Sequence, residues 1–476
     1  MAQLVLVNIW SEGIGNNKPP LGLGYLAAYL KKYLDFHDIT IVNTGERVFE
    51  KIIAEGPEVV GFTAYSAGYF DVVELMERVK KELGLPTIIG GPHVTCLPHK
   101  LSEFADIGVI GEGEETVREL MQLFLNERQF NPGKLKNIPG IVFRDNGKLV
   151  QTEPRPPIQP LDKIPMPDRE LLHIEEFLKP SQILMTNEYL RGATMLSSRG
   201  CPFKCIYCHV QSKWGKPRYH SATRVAEEVE LLVKKYGVEG IYIEDDLFVS
   251  SLKRIHDITY GLKRSGIHGT VRFFLDLRAN LVNEKLAIAL KEMGVVKAAL
   301  GLESGSERIV RYLKGGDVTV EQNRNAVRIL NQHGIGCHCC FMIGAPPETR
   351  EDIRQTQDLI RELLDMNVRN YCQVTVTTPL PGTELWEYAL EKGMIAEEPD
   401  WRQFSLSPQI TRRQDFYVNE RIDFDEFLKL VEKTTAIANS RRLKSIMSRF
   451  SWHYVKRIFE DPKLALRILR DYAGHR

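Results

Sequence analysis

Three cysteines stand at C-x3-C-x2-C spacing in the stretch Arg199-Gly200-Cys201-Pro202-Phe203-Lys204-Cys205-Ile206-Tyr207-Cys208, directly after a short apolar run, Thr194 to Leu196. Thiolates are soft ligands that select zinc, copper(I) or iron–sulfur clusters. A four-iron cluster normally takes four cysteines, so a loop with three leaves one iron open to a further ligand. Tyr207 sets an aromatic face beside the third thiolate. The competing chemistry is a small zinc site built from Cys201, Cys205, Cys208 and His209. Zinc ligands usually come as two separate knuckles, whereas here there is one compact loop.

The elements that must position this loop follow two alternating patterns. Residues 1–130 carry short apolar, β-branched runs at Leu4–Ile9, Ile39–Val42, Val59–Thr63, Thr87–Ile89 and Ile107–Ile110, most of them separated by helical spacing as in Phe70–Leu83. Short buried strands alternating with helices predict an α/β unit with a doubly wound parallel sheet, which binds ligands outside the carboxyl ends of its strands. Three polar or glycine-rich loops fall there: Tyr65-Ser66-Ala67-Gly68, Gly90-Gly91-Pro92-His93 and Gly111-Glu112-Gly113-Glu114. Residues 131–190 hold two proline-rich runs, 154–160 and 164–168, and read as a linker across the surface. From 191 to 390 six strand–helix units recur, enough for a partial (β/α)6 barrel. Barrel chemistry belongs at the carboxyl ends of the strands, and the cysteine loop follows the first one. Residues 391–476 form a helical region that becomes basic towards its end.

Further polar segments end the later barrel strands: Glu244-Asp245-Asp246, Gly301-Leu302-Glu303-Ser304, and Gly344-Ala345-Pro346. With the cysteine loop they resemble the barrel of the radical S-adenosylmethionine (radical SAM) enzymes. Upstream and in order, Pro20-Leu21-Gly22-Leu23-Gly24-Tyr25-Leu26, Gly90–His93 and Gly111–Glu114 resemble the N-terminal cobalamin-binding-type, Rossmann-like domain of one subclass, which includes methyltransferases and an anaerobic cyclase. The resemblance implies a 4Fe-4S cluster on Cys201, Cys205 and Cys208, whose open iron holds SAM. It implies SAM contacts from Asp245, Asp246, Glu303 and Ser304, with Tyr207, Gly344 and Pro346 near the adenine. For cobalamin it implies Leu21, Gly22, Ser66, Gly90, Gly91, His93, Glu112, Gly113 and Glu114. The D-x-H-x-x-G motif of other cobalamin domains is absent, so His93 is expected as a contact and not as a cobalt ligand. The activity implied is methyl transfer to an unactivated carbon or phosphorus centre of a small-molecule or lipid-like substrate. A cyclase or rearrangement enzyme is the alternative in the same fold, and a zinc-dependent binding module the non-enzyme one. A one-electron donor such as flavodoxin or ferredoxin is the implied partner.

Composition narrows the setting. A net charge of +1 over 476 residues gives no electrostatic footprint for nucleic acid. Eight cysteines in so long a chain do not form a secreted disulfide framework, so a reducing, cytoplasmic setting is expected. The first residues lack the basic region of a signal peptide. Cys337, Cys339, Cys340 and Cys372 fall on the fifth and sixth barrel strands. They read either as core hydrophobes or as a second functional cluster. Arg441, Arg442, Lys444, Arg449, Lys456 and Arg457 surround apolar residues, which suits either a helix docked on the barrel or peripheral membrane contact.

Overall fold

Strands β1 (Leu4–Ile9), β2 (Ile39–Thr44), β3 (Val59–Thr63), β4 (Thr87–Gly90) and β5 (Ile107–Val109) pair in parallel in the order β2-β1-β3-β4-β5. The computed structural model describes residues 3–9, 18–178, 190–210, 214–249, 251–403 and 414–440. The basic C-terminal residues 441–476 lie outside them. Side chains alternate across a strand, and β1 shows the result. Leu4 and Leu6 join a core with helices Leu21–Leu34 and Glu114–Glu127, while Val5 and Val7 join a second core with helices Val48–Glu55 and Tyr69–Arg78. Both faces are thus covered, which is why these strands read as continuous apolar runs.

Residues 131–178 are more than a surface strap. Strands β6 (Ile141–Asp145) and β7 (Lys148–Gln151) extend the first sheet as an antiparallel hairpin beside β5. Asn146 and Gly147 make its turn at φ 50° and 80°, the Asn-Gly signature of a two-residue hairpin loop. Farther on, Leu161, Ile164, Leu172, Ile174 and Leu178 are buried. Leu172 lies so close to Gly24 that a Cβ there would meet it at 2.5 Å. Arg169 donates to Glu228 at 2.6 Å, both fully buried, tying the segment to the barrel.

The barrel runs through β8 (Gly192–Met195), a short ribbon of β9 (Ser198–Arg199) and β10 (Arg218–Tyr219), then β11 (Gly240–Ile243), β12 (Arg272–Leu277), β13 (Val295–Glu303), β14 (Gly336–Ile343) and β15 (Tyr371–Val376). Its six main strands pair in parallel in chain order, β8-β11-β12-β13-β14-β15. Local signals set the helix bounds. Helix Ala222–Tyr236 starts where the Ser221 side chain accepts from Arg224 N and stops at Gly237 in the left-handed conformation. The C-terminal part folds back on both units. Trp386, Trp401, Phe416 and Val418 are buried in the core of the first sheet, and Phe427 of helix Phe424–Asn439 in that of the barrel.

Candidate active site between the sheet and the barrel

A cavity of about 580 Å³ opens at the carboxyl ends of β1 and β3 to β5. Its floor is apolar, with Leu4, Leu6, Ile88 and Val109, and its first-unit rim holds Leu21, Gly22, Gly90, Gly91, Gly111, Glu112, Gly113 and Glu114. Leu196, Ser198, Arg199, Trp214, Glu244 and Asp246 of the barrel close the far side. Gly22 and Gly111 have nothing within 4 Å of where a Cβ would stand, so both leave open space. Seven of the nine residues expected around cobalamin therefore line one cavity.

Ser66 and His93 are not among its lining residues. His93 is buried, stacks on Tyr69 at 3.7 Å, meets Trp401 edge-on and shares a hydrogen bond of 3.0 Å with Ser66 Oγ. Burial lowers its pKa to about 3, so it is neutral. Glu112 and Glu114 touch the cavity edge, but their carboxylates bind barrel arginines. Glu112 accepts both prongs of Arg218, at 2.5 and 3.0 Å, and Arg199 at 3.1 Å; Glu114 accepts Arg199 at 2.5 Å. Burial opposes the charge on Glu112, yet the Arg218 and Arg199 bonds outweigh it and hold the carboxyl below its ordinary range.

The three loop cysteines are half-buried, and none is in a disulfide. Burial raises the Cys201 and Cys208 thiols, Cys208 to about 11, and neighbouring thiols add to the shift. Such groups ionise readily only beside a cation or metal. Arg278 donates to Cys205 Sγ at 3.2 Å, stacks on Phe203 at 3.9 Å and opposes part of the rise at Cys201. Among the described residues no group of three or more His, Cys, Asp or Glu side chains is arranged to hold a single metal ion.

The other expected SAM residues divide sharply. Glu303 ends β13 with φ 64°, a strained backbone for a non-glycine residue. It accepts Tyr207 Oη at 2.6 Å and Lys314 Nζ at 3.2 Å. Asp246 is exposed, lines the cavity and accepts Gly200 N at 2.9 Å. Asp245 instead faces inward: it is buried and accepts Ser197 N at 2.6 Å, Ser197 Oγ at 2.5 Å and Ser198 N at 3.0 Å. These bonds fix the turn from β8 into β9. Ser304 is also buried, bonded to Thr356 at 2.9 Å. Gly344 takes φ 92° with the Phe427 ring against its α-carbon, and Pro346 follows in the same buried loop. Glu348 accepts the Gly344 and Ala345 amides; burial raises its pKa to about 8. Cys337, Cys339 and Cys372 lie in the barrel's hydrophobic core, while Cys340 is half-buried beside His338.

Sequence reasoning missed Arg199, Arg218, Arg278, Lys314 and Glu348. Arg199 carried a signal, since it adjoins the glycine before the first cysteine. Glu348 takes its partners from the adjoining turn at Gly344 and Ala345, while Arg218, Arg278 and Lys314 acquire theirs only through tertiary contacts.

A parallel barrel with a three-cysteine loop after its first strand defines a radical SAM enzyme, and residues 195–360 match the Radical SAM superfamily. Residues 12–121 match the B12 binding domain. The chain is 33% identical over 419 residues to an uncharacterized methyltransferase of Pyrococcus horikoshii, covering 85% of each. It is 28% identical to the anaerobic magnesium-protoporphyrin IX monomethyl ester cyclase of Rubrivivax gelatinosus, covering 86% of this chain and 73% of that one. Among solved structures, the radical SAM methyltransferase TsrM of Kitasatospora setae superposes with a TM-score of 0.68 at 17% identity, covering 91% of both chains. The protein belongs to the cobalamin-dependent radical SAM methyltransferase family, in which cyclase relatives also occur. Its cofactors are a 4Fe-4S cluster, SAM and cobalamin. The residues fit these groups: one loop supplies three thiols beside a guanidinium, and an apolar cavity edged by glycines, with open space at Gly22 and Gly111, admits a large flat ligand.

Proposed function

We propose that this enzyme transfers a methyl group to an unactivated carbon or phosphorus centre of a small-molecule or lipid-like substrate. The observation that carries the reading is the shared cavity, edged on one side by the glycines of the first unit and on the other by the barrel rim beside the cysteine loop. A radical and a methyl carrier must act at short range in one dry space, as the proximity argument requires. When bound, the cluster with SAM supplies radical chemistry and cobalamin supplies methyl-carrier chemistry. The protein holds and shields them. Cys201, Cys205 and Cys208 hold the cluster, and Arg278 offsets its thiolate charge. Asp246 and the Glu303–Tyr207 pair orient SAM, with Gly344 and Pro346 near its adenine. Leu21, Gly22, Gly90, Gly91 and Gly113 seat the corrin. Asp245 and Ser304 act behind them, as supports for those loops.

The same proposal covers the setting. The units are the first sheet with its hairpin, a packed connector, the barrel, and the C-terminal helices. Flavodoxin or ferredoxin delivers the electron in a reducing cytoplasm. No described helix is long and apolar enough to cross a membrane. The test is anaerobic turnover of the reconstituted enzyme on a small-molecule extract with SAM deuterated in its methyl group, followed by mass spectrometry. A product carrying the labelled methyl is expected. Formation of 5′-deoxyadenosine with a substrate changed but unlabelled would overturn methyl transfer in favour of cyclisation or rearrangement.

A further inference from the structure

Both ends of the cysteine loop are held by one carboxylate from the other unit. Arg199 and Arg218 face each other across the antiparallel β9–β10 ribbon, which brackets residues 200–217. The two guanidinium groups turn towards the first unit and meet on Glu112. Glu114, two residues on, takes the remaining Nη2 of Arg199. All four side chains are at most 7% exposed. The Arg199 guanidinium also lies over Tyr25 of the first unit, at 5.4 Å, and Trp214 of the loop, at 5.1 Å. Glu112 accepts Ile158 N at 2.9 Å, and Arg218 donates to Ile158 O at 2.9 Å, so the connector is locked into the same cluster.

We infer that Glu112, supported by Glu114, is a positioning residue that clamps both feet of the cysteine loop and so sets the separation of the two cofactor sites. This rests on the function proposed above. The geometry carries it: Glu112 sits on the cavity rim, while its partners are the residue two before Cys201 and the residue ten after Cys208. Forked guanidinium–carboxylate pairs fix direction as well as distance, and buried ones resist displacement by water. Two carboxylates facing two arginines leave the network neutral, so it carries no charge demand for a ligand. The Gly111–Glu114 loop accordingly offers the cavity its backbone, while its acids act on the barrel.

The test uses the full-length chain and the Glu112→Gln variant, which keeps the shape and removes the charge. Hydrogen–deuterium exchange on the cofactor-free protein reads the clamp directly. Amides of 198–220 should exchange about tenfold faster in the variant, with those of β12 to β15 unchanged. Pulsed electron paramagnetic resonance on chains loaded with cob(II)alamin and the reduced cluster reads its consequence. A single narrow distance is expected in the wild type, and at least a doubled width in the variant, with both groups still bound. Equal exchange over 198–220, or equal distance widths, overturns the clamp. Arg218→Lys, which keeps the charge but loses the fork, should fall between the two and decides the matter if Glu112→Gln does not fold. A wild-type chain that takes up neither cobalamin nor iron would sink the proposed function, and exchange alone would then decide the clamp.

Discussion

Replacing Gly91 with alanine isolates the backbone requirement of the cavity. Gly91 has φ 102° and ψ −178°, a region essentially reserved for glycine and costing other residues about 1–3 kcal/mol. Its Cβ would stand 2.7 Å from Ala64 O and 2.9 Å from Ala64 N. Neither atom is free to yield, because Ala64 O accepts His93 N at 3.2 Å and Ala64 N donates to Gly90 O at 3.0 Å. Forcing them apart adds about 1–3 kcal/mol, while the stiffer unfolded chain returns about 0.4–1 kcal/mol. The net loss is about 1–6 kcal/mol. Gly22→Ala is the contrasting control. Gly22 is helical with nothing within 4 Å, so alanine should stabilise by about 0.5–1 kcal/mol, yet its methyl group enters the cavity and should weaken cobalamin. Urea unfolding of the cofactor-free chain measures the first effect, and equilibrium dialysis with hydroxocobalamin the second. If Gly91→Ala unfolds with the wild type, the Ala64 carbonyl is not held where the argument needs it. Undiminished cobalamin affinity in Gly22→Ala would mean the corrin sits elsewhere.

Replacing Cys201, Cys205 and Cys208 together with alanine should abolish iron and sulfide retention and 5′-deoxyadenosine formation; a full cluster in that variant would move the ligands elsewhere. Glu348 is predicted to make stability depend on pH. Its folded pKa, about 8, lies above its ordinary 4.5, so the native state binds the extra proton and loses stability as pH rises from 4.5 to 8, by up to about 1.4 kcal/mol per unit. Glu348→Gln should therefore match the wild type near pH 5 and melt higher at pH 9, and parallel melting curves would refute this. Arg169→Ala should cost about 3 kcal/mol, the low end for breaking a buried pair, because Arg224 still reaches Glu228 at 2.8 Å; calorimetry showing no loss would remove the connector's anchoring role.

The strands were legible because nothing but apolar, β-branched runs fills a sheet covered on both faces, and the runs read at Val59–Thr63 and Leu4–Ile9 recur unchanged. The cysteine loop was legible because its chemistry is local in sequence. Side-chain partners were not. Asp245 and Asp246 are adjacent and chemically alike, yet one is sealed against Ser197 while the other faces the cavity. Only the turn between β8 and β9 decides which. Glu112 and Glu114 likewise read as ligand contacts until two arginines from another unit claimed them. The β6–β7 hairpin was readable from Asn146-Gly147 and was masked by the prolines that follow it.

One face of the first sheet is completed by residues that follow the barrel strands. Trp386, Ala389, Ile395, Trp401, Phe416 and Val418 share a core with Val5, Val60 and Ile89. A ribosome that has released residues 1–151 has therefore exposed a sheet whose second face carries helices Val48–Glu55 and Tyr69–Arg78 but still lacks these later side chains. Domains ordinarily fold in turn as they emerge; here one core of the first is completed only after the barrel has followed it. The first sheet and residues 384–418 share one core, so a gene cut at the apparent boundary between sheet and barrel should yield an N-terminal fragment that aggregates unless residues 384–418 are supplied with it.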